Sequence, residues 1–73
     1  MRFDMNLFQN MNEVMKLADR GAFLLHEGTP RKIVDWRAGF GSLPSIMLSL
    51  DNDEMVTVRP EEVETFLSKM ALV

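Results

Sequence analysis

Cysteine and tyrosine are absent from this 73-residue chain, and histidine and tryptophan occur once each. Each gap closes a class of function. Without cysteine there is no disulfide to staple a small fold, no thiolate nucleophile and no cysteine-based metal site. His26 alone leaves little from which to build acid–base chemistry. A His26–Asp35 pair could form across a hairpin, but it reads as a cross-strand contact rather than a catalytic dyad. Ser42, Ser45, Ser49 and Ser68 sit in no nucleophile-elbow context. The stretch GFGSLP starts like a dinucleotide loop but lacks the third glycine and a following helix. DNDE, residues 51–54, offers oxygen ligands without the spacing, glycine and distal glutamate of a calcium loop, and reads as a hairpin turn. No catalytic residue, no cofactor and no metal site is therefore expected.

Long hydrophobic runs are missing too. None approaches the roughly 18 residues of a membrane span, and MRFDMNLFQN has no apolar segment of the signal-peptide kind. The chain reads as cytoplasmic, with no membrane partner. Clustered positive charge is scarce. The net charge is −3, and residues 38–73 hold two basic against six acidic side chains. Proteins that grip phosphate backbones show the opposite balance.

What is present is a globular composition, 47% hydrophobic, in one domain near the lower size limit. A chain of this size buries only about 60% of its unfolded surface, and its core rarely supplies more than about 3–5 kcal/mol, so partners are common. Leu7, Phe8, Met11, Val14, Met15 and Ala18 fall on one face of a helical period, predicting a helix from Asn6, as cap, to Arg20, stopped by Gly21. Ala22–His26 and Arg31–Arg37 read as a hairpin, followed by the loop AGFGSLP. In KIVDW, alternation puts Val34 and Trp36 on the core face and Ile33, Asp35 and Arg37 on the other. SIMLSL and MVTVR form the clearest hairpin, and PEEVETFLSKMALV reads as a helix opened by Pro60. The expected fold class is α+β: an N-terminal helix, a small strongly bent antiparallel four-stranded sheet of SH3-like barrel type, and a C-terminal helix. Residues 1–5 would be a flexible arm and 6–73 the compact domain.

Two segments carry apolar residues that no periodic element absorbs. One is the arm, with Arg2, Phe3 and Met5. The other is the loop after Trp36, with Arg37, Phe40 and Leu43. Trp36 reads as core filler; Phe40 is either a lid on the core or an exposed anchor of the type enriched at interface hot spots. In size and in its cysteine-free, loose-armed style, the chain resembles the small proteins with which bacteriophages bind and disable host machinery. The leading expectation is a non-catalytic regulator, docking through Arg2, Phe3, Met5, Arg37, Phe40 and Leu43 on a larger host protein complex such as a nucleic-acid-processing enzyme. A second reading is a small-barrel nucleic-acid binder that uses Arg31, Lys32 and Arg37, with bases stacked on Phe40. A third is a structural homodimer or assembly subunit. The acidic set Asp51, Asp53, Glu54, Glu61, Glu62 and Glu64 could face a basic groove on a partner.

Overall fold

The computed structural model describes residues 5–40 and 43–72. Helix α1 (Met5–Asp19) forms on the apolar period read above, and Met11, Val14 and Ala18 are buried. It starts one residue earlier than expected, so Asn6 lies inside it. It stops as expected. Gly21 takes φ +74°, its amide donates to the Ala18 carbonyl, and the Ala22 amide donates to the Leu17 carbonyl. Those two bonds are the Schellman pair, and only glycine adopts that backbone without cost. Leu17, off the apolar stripe, packs against the core beside this turn.

Five strands follow: β1 (Phe23–His26), β2 (Thr29–Phe40), β3 (Pro44–Leu50), β4 (Met55–Val58) and β5 (Met70–Ala71). Their order across the sheet is β4-β3-β2-β1-β5, and every pairing is antiparallel. Glu27 and Gly28 join β1 to β2 with φ +51° and +78°, the two positive values that a type I′ hairpin turn requires. Between β3 and β4 the Asp53 amide donates to the Leu50 carbonyl and the Leu50 amide donates to the Glu54 carbonyl. Asp53 has φ +69°. This is a three-residue loop closed by a bulge, a geometry that aspartate tolerates better than most residues.

Four expectations are corrected here. The sheet is open and has five strands, not a closed four-stranded barrel. β4 and β5 stand at opposite ends of the order, and β5 is only two residues long, too short to close a ladder onto β4. The predicted C-terminal helix is a 3-10 turn (Pro60–Glu62) and a short helix α2 (Val63–Ser68). Met70 then leaves the helix and pairs with Leu24 as part of β5. The AGFGSLP loop is mostly strand, because β2 runs on to Phe40 and Gly39 pairs with Ser45.

The fourth correction concerns which side of β2 is buried. Residues 29–32 pair with β1 and residues 33–40 with β3, and the register shifts between Ile33 and Asp35. Val34 is the extra residue of a β-bulge, which breaks the alternation. Ile33 is 1% exposed and Val34 58%, the reverse of the expected placement. Trp36, opposite Leu48, returns to the inner face. It is half-buried against the core, and its Nε1 donates to Asp19 Oδ1 over 3.3 Å, tying the sheet to the end of α1.

The core is Val14, Leu24, Ile33, Ile46, Leu48 and Val58 with their neighbours. α1 covers it, touching α2, β2 and β3. No described helix is long and apolar enough to cross a membrane. The bulge makes a sharp prediction for urea unfolding. Ile33→Ala should cost about 2–5 kcal/mol as a cavity-forming change, and Val34→Ala no more than about 0.5 kcal/mol. A larger cost at Val34 than at Ile33 would put Val34, not Ile33, on the core face.

Candidate functional site

The strand pairings set out the sheet face turned away from α1 as a grid. Asp35, Ser49 and Met55 form one row across β2, β3 and β4, and Arg37, Met47 and Thr57 form the next. Inner-face neighbours Ile46, Leu48 and Val58 are buried, so these outer residues face solvent. Two methionines stand among them, Met47 at 37% and Met55 at 58% exposure. They occupy diagonal positions on adjacent strands, within reach of each other's side chains. Past the end of β3, Leu43 is 77% exposed. A shallow groove lined by Leu43, Ser45, Thr57, Arg59 and Glu61 continues the methionine surface toward the 3-10 turn. Arg37 and Arg59 border this surface, and neither enters an ion pair among the described residues.

The same surface runs into an open strand edge. Among the described residues β4 pairs only with β3. Leu50 and Glu54 form a hydrogen-bonded position, and antiparallel ladders alternate. Val56 and Val58 therefore bond toward β3, while the N–H and C=O groups of Met55 and Thr57 point outward. An edge of this kind is a template for another strand.

Of the residues singled out from sequence, Arg37 and Leu43 belong to this surface. Arg2 and Phe3 lie outside the described residues. Met5 is the first residue of α1, and Phe40 pairs with Pro44 at the end of β2; the side chains of both lie outside the described set. Arg31 and Lys32 are occupied within the fold. Arg31 Nη1 is 3.9 Å from Asp51 Oδ1. Lys32 Nζ donates to the Gly21 carbonyl over 3.3 Å and lies 5.6 Å from the Phe23 ring centroid. Adjacent residues on a strand face opposite ways, so these two do not form one basic patch. Met47, Met55, Thr57 and Arg59 were missed. The signal was available: alternation in SIMLSL and MVTVR puts both methionines on the face where polar residues are expected.

A second cluster sits at the hairpin tips. His26 Nε2 lies 3.0 Å from Glu54 Oε2 and 3.9 Å from Glu27 Oε1. Asn52 Nδ2 donates to Glu54 Oε1. Hydrogen bonding from His26, then from Asn52, holds the Glu54 carboxyl below the usual carboxylate range. The His26–Asp35 contact considered from sequence is replaced by this one, and Asp35 Oδ1 accepts from the Trp36 amide. The acidic set is thereby divided: Asp51 faces Arg31, Glu54 faces His26, and Glu61, Glu62 and Glu64 lie at the start of the C-terminal helical segment.

No known protein family, curated protein or solved structure matches the chain. If Met47 and Met55 serve the surface and not the core, serine at either should change unfolding stability by no more than about 0.5 kcal/mol. A loss of several kcal/mol in denaturant titrations would return them to the core.

Proposed function

We propose that the chain is a non-catalytic protein-binding regulator that accepts an extended segment of a larger protein along β4. The observation that carries this reading is the meeting of an exposed apolar surface, Leu43, Met47 and Met55, with the outward-facing backbone of Met55 and Thr57. Strand addition at an edge supplies backbone hydrogen bonds for affinity, and the side chains beside the edge supply specificity. Methionine suits the second task because it adapts its shape to the partner. Arg37 and Arg59, exposed and without ion pairs among the described residues, favour carboxylates on the incoming segment. The partner's chemistry is thus an extended, apolar and acidic stretch, and a host complex of the nucleic-acid-processing kind is the expected class of owner.

The test separates edge pairing from mere stickiness. Thr57→Pro removes an outward N–H without removing a bond to β3, a place where an edge strand tolerates proline. Met47→Glu with Met55→Glu reverses the character of the surface. Wild-type and both variant domains, immobilised in parallel, would be exposed to a bacterial lysate at moderate salt and their retained proteins compared. A complex held by the wild type and lost by both variants is the expected result. Equal retention on all three baits would overturn the reading. A dimer in light scattering that Thr57→Pro dissociates would reassign the edge to self-association.

A further inference from the structure

We propose that His26, Glu27 and Glu54 form a binding site for a borderline first-row divalent cation such as Zn²⁺. Among the described residues they are the one group of three ligand-bearing side chains whose donor atoms all lie within 4.8 Å of one another. His26 ends β1 and Glu27 follows it in the β1–β2 turn, while Glu54 comes from the β3–β4 connection 28 residues on, so the fold brings the third ligand to the first two. One imidazole nitrogen and two carboxylate oxygens are a donor set that zinc and its neighbours accept, while magnesium and calcium prefer oxygen alone.

The spacing fits. Two ligands bound at about 2.1 Å and set at a tetrahedral angle stand about 3.4 Å apart. The His26–Glu54 and His26–Glu27 separations, 3.0 Å and 3.9 Å, lie on either side of that value. Small side-chain rotations at the surface would bring all three to an ion. Asn52 already donates to the other Glu54 oxygen, Oε1, leaving Oε2 toward His26, and outer contacts of that kind orient a ligand. The two carboxylates also balance the charge of a dication. Three protein ligands leave positions for water, which the exposed setting supplies. The bound ion would clamp one hairpin tip to the other. Because Glu54 directly precedes Met55, it would also pin the start of the β4 edge. The inference does not depend on that edge binding a partner.

Isothermal titration of ZnCl₂ into the full chain, at physiological ionic strength in a non-chelating buffer, tests the site. One ion per chain is expected, with a thermal midpoint that rises with zinc, since a ligand of the native state stabilises it. His26→Gln and Glu54→Gln should each weaken binding by about tenfold or more, and Glu64→Gln, an acid elsewhere on the surface, should leave it unchanged. In ¹⁵N spectra of the wild type, zinc should shift the His26 Nε2 resonance, a readout that needs no variant to fold. No one-to-one binding below about 1 mM, or the same affinity in His26→Gln as in the wild type, would overturn the proposal. So would a His26 ring resonance that zinc does not move.

Discussion

The register break at Val34 lies where one strand passes from one ladder to the next. β2 bonds to β1 with its first residues and to β3 with the rest. A strand that keeps strict alternation would carry one face of the sheet through unchanged. By inserting one residue, the bulge bends the strand and exchanges the faces. Ile33 and Trp36 then both meet α1 and the core, although three positions apart they would otherwise lie on opposite sides. Trp36 closes this junction through its indole N–H on Asp19. Helix, bend and sheet are therefore one unit, which matters in a chain too small to have a second core.

The same arrangement leaves the sheet with two edges. The short β5, after α2, covers the outer side of β1 but cannot reach β4. β4 is thus left with two outward-facing residues and a face that carries methionine where a solvated sheet would carry polar side chains. Proteins usually protect such an edge with charge, proline or a covering element. Here charged residues lie around the methionine pair, Asp35 and Arg37 on β2 and Glu54 and Arg59 at the two ends of β4. An edge that carries its charges only at its ends is exposed to aggregation, a cost that the proposed binding role would offset.

The turns show a related compromise. Glu27 and Asp53 adopt left-handed backbone, where glycine or asparagine is favoured. In both hairpins the acid is carried close to the tips, and one of them brings Glu27 beside His26 and Glu54. The cluster unites residues 28 positions apart in the chain, so no local motif announces it.

Much was legible from the order of residues. The α1 period, its stop at Gly21 and the β3–β4 hairpin follow from patterns within a few neighbours, where backbone sterics and side-chain spacing decide the outcome. Leu43 lies beyond any periodic element and Arg37 falls on the strand face opposite Trp36, so both read as exposed. Tertiary structure alone decided four things. It placed the bulge, because a residue's face in a strand depends on which partner it pairs with. It made Met70 a strand residue, because a two-residue strand has no period and exists only through Leu24. It brought His26 to Glu54 and left the β4 edge uncovered by any described residue, because both depend on how distant hairpins pack, and that packing energy is not stored in any single stretch of sequence.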